Sequence, residues 1–68
     1  MIIVSKKELA ESYIRSIKTL RKQHHLTQRE TAEKIGMNVR TLQNWEQGIR
    51  HPPAWVAASA LKRLESAL

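Results

Sequence analysis

Arg40, Gln43, Asn44 and Gln47 recur at i, i+3, i+4 and i+7, the spacing that puts side chains on one face of an α-helix. Each ends in a planar head with several hydrogen-bonding groups. An Arg of this kind can bridge O6 and N7 of guanine, and a Gln or Asn can bridge N6 and N7 of adenine. The face holds no acid and no apolar residue, whereas an ordinary solvated face is rich in Lys and Glu. Leu42 and Trp45 stand on the opposite side, where they can dock the helix on its neighbours. The alternative, a plain solvated face, stays open on one short helix.

Other chemistry has thinner support. His24, His25 and His51 are the residues most suited to a metal, but adjacent histidines at a helix end point in different directions. There is no cysteine, and all six acids are Glu, so no ligand set is completed. Glu30 and Glu33 share a helical face, as paired catalytic acids would. They also sit in the first turns of a helix, where the dipole favours Glu. We therefore expect no catalytic residue, no metal site, no cofactor and no enzyme activity.

The charge balance agrees with a polyanionic partner. Twelve Lys and Arg oppose six acids, for a formal charge of +6 and a pI near 10.4. From Ser12 to Arg29 the charged residues are Arg15, Lys18, Arg21, Lys22 and Arg29, without an acid. Such an excess suits nucleic acid or an anionic membrane surface, and nucleic acid is the stronger reading. No apolar run approaches the roughly 20 residues of a membrane span. Met1–Val4 lacks the basic region and long apolar stretch of a signal peptide. Residence in the cytoplasm is expected, and the absence of cysteine suits a reducing compartment.

The elements that must position the polar face are helical. Glycine and proline fall only at Gly36 and in the Gly48–Pro53 loop. Ser5–Glu8 and Thr27–Glu30 both read as capping boxes. Leu9, Tyr13, Ile17 and Leu20 predict the buried stripe of a first helix over about 6–23. Ala32 and Ile35 predict the inner side of a second over 28–35, ended by Gly36. Asn38 is a good N-cap for a third helix over 39–47, with Gly48 just beyond it. The paired prolines suit the first turn of a fourth, over 54–67, with Ala57, Leu61, Leu64 and Leu68 on one side. Residues 1–68 thus form one small all-α domain of four to five helices, and only Ile2–Val4 could be a strand. Below about 70–80 residues a single core is marginal without a staple. Tight helix packing and oligomerisation are the staples left to this chain.

A helix, a glycine-bearing turn and a second helix make a helix-turn-helix. Gln28–Gly48, "QRETAEKIGMNVRTLQNWEQG", resembles that of the Xre type, the Cro and phage-repressor-like family. The matching positions are Gln28, Ala32, Gly36 and Leu42. The tail "RTLQNWEQGIRHP" resembles the Trp-Glu-x-Gly-x-Arg-x-Pro ending of small bacterial regulators and antitoxin-type repressors. The likeness spans about Ile17 to Pro52 and implies a lambda-repressor-like domain whose third helix enters the major groove of double-stranded DNA. The base-reading candidates it implies are Asn38, Val39, Arg40, Gln43 and Asn44. Val39 either touches a thymine methyl, the reading we favour, or tucks against Leu42. Gln28 would bond a phosphate with its amide and its helix-start N–H groups. Lys18, Lys22, Arg29, Thr41 and Gln47 are further phosphate candidates. Ala32 keeps the two helices close, while Gly36, Leu42, Trp45 and Gly48 shape the motif. Glu46 and Arg50 read as an ion pair holding the loop on the third helix, with phosphate as the alternative for Arg50.

Self-association is expected through Trp55, Leu61, Leu64 and Leu68 of the last helix and through Ile2, Ile3 and Val4. That opening segment either pairs with its counterpart or covers the last helix. A homodimer would read an inverted-repeat operator. The resulting expectation is a transcriptional regulator of a bacterial or phage-infected cell, associated with the nucleoid. It would act as a repressor, with its own operon as one candidate target and no small-molecule effector. Its first rival is an antitoxin that binds a toxin protein and also represses its operon; the second is a small nuclease or other enzyme.

Overall fold

Ser5 opens the first helix by accepting the Glu8 amide on its hydroxyl at 3.1 Å. It is the first residue described in the computed structural model of the chain, which describes residues 5–68. Among these the fold is all-α with four helices: α1 (Lys6–Gln23), α2 (Gln28–Ile35), α3 (Val39–Gln47) and α4 (Ala54–Ala67). The Ile2–Val4 segment lies outside the described residues.

The capping chemistry marks the boundaries. At α2 the box is reciprocal: Thr27 Oγ1 accepts the Glu30 amide and Glu30 Oε1 accepts the Thr27 amide, both at 3.0 Å. At Ser5 only the first half of the box is made. Gly36 ends α2 with φ +82°, the left-handed conformation that costs glycine least. Its N–H donates to Ala32 O at 2.8 Å, and Met37 N–H follows onto the same carbonyl at 2.9 Å. Gly48 ends α3 in the same conformation. Pro53 is the N-cap of α4, so the two prolines precede that helix instead of filling its first turn. With φ fixed and no N–H to place, they direct the chain into α4 at no cost in helix hydrogen bonds.

The core joins all four helices through Ile14 and Ile17, Ala32 and Ile35, Leu42 and Trp45, and Ala57, Ala60 and Leu64. α4 packs on α1 and α2, and α3 on α2 and α1. The buried stripe of α1 differs from the one its large residues predict. Ala10, Ile14 and Ile17 are buried, Tyr13 and Leu20 pack at the edge, and Leu9 is 39% exposed. The stripe runs i, i+4, i+7 from a small residue. A helix that approaches its neighbours closely turns its alanine toward them and leaves bulk at the rim.

Two polar details qualify this core. Arg63 of α4 donates from Nη1 to Ile35 O at 3.2 Å, giving one free carbonyl at the end of α2 a partner. Thr31 is fully buried, and its hydroxyl has no hydrogen-bond partner among the described residues.

Candidate nucleic-acid interface

The proposed reading helix is held from its buried side. Leu42 and Trp45 are buried in the core, and together they fix the rotation of α3. With that rotation set, Arg40, Thr41 and Gln47 are exposed, while Gln43 and Asn44 are half-buried at the edges of the same outer side. Asn38 caps the helix, its Oδ1 accepting the Arg40 amide at 2.7 Å. The side-chain amide hydrogens of Asn38 can still act as donors. Val39 is half-buried and packs on the core, so contact with Leu42's neighbourhood takes part of its surface.

The third device that holds α3 is ionic. Arg21 of α1 grips Glu46 of α3 with two bonds, Nη2 to Oε1 at 2.8 Å and Nε to Oε2 at 3.1 Å. The side chains are only 13% and 3% exposed. Nη1 of the same Arg21 donates to Leu26 O at 3.2 Å, and Gln28 Nε2 donates to Glu46 Oε1 at 3.2 Å. One Arg–carboxylate pair therefore joins α1, the α1–α2 loop, the start of α2 and the end of α3.

This network corrects one expectation and narrows another. Glu46 does not pair with Arg50. It follows Leu42 by one turn, so its carboxylate turns inward toward α1, whereas Arg50 is exposed in the loop beyond Gly48. Gln28, expected to give its amide to phosphate, has one of its donor bonds committed to Glu46. What it can still offer an anion is its second amide hydrogen and the backbone N–H groups at the start of α2.

The cations are distributed around this frame. Lys22 and Arg29 are exposed, and Lys18 is half-buried. Lys18 meets Gln47 in a depression of about 290 Å³ between α1 and the end of α3, shared with Arg15 and His51. Neither Arg15 nor His51 is among the residues expected at DNA from the sequence. The available signal is the i, i+3, i+7 series Arg15, Lys18, Lys22 along one side of α1. Glu11 lines the same depression, 3.9 Å from His51 Nδ1, and tempers its positive charge.

Glu30 is a structural acid. The backbone N–H of Thr27, and after it the Thr27 side chain, hold its carboxyl below the usual carboxylate range, with Lys34 adding to the effect against slight desolvation. Among the described residues no three of His, Cys, Asp and Glu group so as to hold a metal ion. No described helix is long and apolar enough to cross a membrane.

The family model for the helix-turn-helix matches residues 17–68, from the middle of α1 through the whole of α4. The chain belongs to the Xre-type helix-turn-helix family. This helix-turn-helix protein is thus a DNA-binding protein of transcription regulation, in a family whose members are regulators and typically not enzymes. Comparison with curated proteins and with solved structures finds no significant match.

Of the residues expected at a dimer interface, the four that the structure describes are dispersed in the helix-turn-helix fold. Leu64 is fully buried inside the domain, so it has no surface left for a second chain, which corrects its assignment. Leu61 is half-buried against the core. Trp55 and Leu68 are exposed. α4 uses Ala57, Ala60 and Leu64 to pack on α1 and α2, and that packing takes Leu64 out of the side expected to face outward.

Proposed function

We propose that the protein is a sequence-specific repressor that reads the major groove with α3. The observation that carries this reading is the acid-free outer side of α3, with Arg40, Gln43, Asn44 and Gln47, on a helix fixed by Leu42, Trp45 and the Arg21–Glu46 pair. Side chains that identify base edges must be presented at a set angle, and a helix held at three points supplies it. Arg40, Gln43 and Asn44 read bases, with Asn38 and Val39 at the tip. Gln28, Arg29, Thr41, Gln47, Lys18, Lys22 and Arg50 hold phosphates. Occupying an operator is enough to exclude RNA polymerase, so repression needs no further domain.

A twofold pair of chains would set two α3 helices about 34 Å apart and read an inverted repeat. On α4, Leu61 and Leu68 are available to such a pair. The experiment is footprinting on the DNA upstream of the protein's own gene. Two protected half-sites about one helical turn apart are expected. Uniform protection of any sequence would overturn the reading.

The second reading is an antitoxin that neutralises a toxin and represses the operon encoding both. It needs a free protein-binding surface, and the exposed Ile49 and Trp55 favour it. A toxin gene adjoining this one would support it.

A further inference from the structure

Trp55, Ser59, Lys62 and Ser66 follow each other at i, i+4, i+7 and i+11 of α4 and are all exposed, so they form one solvent-facing stripe. Trp55 is 73% exposed, the highest value among the large apolar side chains described. Beside the stripe lie two depressions that share Ser59 and Arg63 and so form one groove between α4 and the end of α2. The first, of about 320 Å³, is walled by Met37, Trp45, Trp55, Val56 and Ala60. The second, of about 590 Å³, is walled by Lys34, Lys62 and Arg63 with the hydroxyls of Ser59 and Ser66. Neither half is lined by an acid.

We propose that this groove binds an acidic segment of another protein, one that sets a bulky apolar side chain against Trp55 and carboxylates against Lys62 and Arg63. An indole left in water gains by being covered, and tryptophan and arginine are the side chains that most often anchor protein contacts. The polar half selects the partner's sign. Lys34 shares its field with Glu30 one turn back, but Lys62 and Arg63 face the groove without an acid beside them there. Arg63 spends one N–H on Ile35 O and keeps its other donors for a carboxylate.

Charge also decides against two other occupants. In a twofold contact the groove would meet its own cations on a chain of net +6, which is repulsive. DNA would satisfy the cations but gain nothing from Met37, Val56 and the indole. None of Arg40, Gln43, Asn44 and Gln47 lines the groove, so DNA and the acidic segment can be held at once. The inference stands whether or not the DNA site is an operator of the protein's own gene.

The test is titration of the isotope-labelled full chain, followed by NMR, with a short synthetic peptide of Glu and Asp interrupted by Leu and Trp. Trp45 and Trp55 give separate indole N–H signals, assigned with the Trp55→Ser variant. The peptide is expected to move the Trp55 indole and the Ser59 and Lys62 amides saturably. Lys62→Glu and Trp55→Ser should each weaken binding roughly tenfold or more while helix content and DNA binding are kept. Retained DNA binding separates a failure here from a failure of the repressor reading. Three results would overturn the proposal. One is equal response to peptides with Lys for the acids or Ala for the apolar residues. Another is a Trp55 signal that moves with random-sequence duplex and not with the peptide. The last is a Trp55 signal that moves only with protein concentration, with Trp55→Ser abolishing self-association.

Discussion

Arg21 and Glu46, 25 residues apart in the chain, close a two-bond ion pair beneath the proposed DNA-reading helix. Arg21 lies on α1 and Glu46 near the end of α3, and Gln28 of α2 joins the same carboxylate. Removing one partner leaves a nearly buried charge alone, which costs about 3–5 kcal/mol. Glu46→Ala and Arg21→Ala are each expected to lower stability by that order, read from urea midpoints at unchanged slope. Replacing both residues by apolar side chains of similar volume should recover most of the loss. If either single variant melted like the parent, the pair would not be what holds α3.

Base reading and phosphate holding separate by their salt dependence. Arg40→Ala or Gln43→Ala should cost about 1–3 kcal/mol on the operator and little on random DNA. Lys22→Ala should weaken both alike and reduce the logarithmic salt slope by about 0.9. Binding isotherms on both duplexes at several salt concentrations check this. Equal losses on the two duplexes for Arg40→Ala would mean that it is not a reader.

Thr31 buries a hydroxyl without a partner. Valine has nearly the same shape and no polar atom to leave unsatisfied. Thr31→Val is therefore expected to stabilise the fold by about 1 kcal/mol, visible as a higher thermal midpoint with DNA affinity unchanged. A lower midpoint would show that the hydroxyl has a partner in solution.

The Glu30 carboxyl is held below its ordinary value of 4.5 by the Thr27 amide and hydroxyl. A depressed folded-state pKa contributes stability above the unfolded value and loses it as pH falls through the folded one. The parent should lose thermal stability below about pH 4.5 more steeply than Glu30→Gln, which has no carboxyl to protonate at that position. Identical acid limbs for the two proteins would remove Glu30 from the acid response.

Several features were legible in the residues themselves because their causes are local. The starts of all four helices and the ends of α2 and α3 follow from caps and breakers: Ser5, Thr27–Glu30, Gly36, Asn38, Gly48 and the prolines before Ala54. The two sides of α3 follow from helical periodicity, which needs no knowledge of what the helix packs on. Periodicity says less about α1, where large residues suggested a stripe through Leu9 and the packing chose Ala10 and Ile14. Residue size marks what could be buried, and the closeness of the neighbouring helix decides what is.

What only the tertiary structure decided concerns groups whose partners come from other helices. Glu46 has Arg50 four residues away, yet it pairs with Arg21, because the turn of α3 points the carboxylate inward. Leu64 has the composition of an interface residue, and the packing of α4 on α1 and α2 buries it. Trp55 sits on the same helix and stays in water. Spacing along a chain sets which side chains share a face. Which face meets the core, and which ion meets which, is a property of the assembled helices.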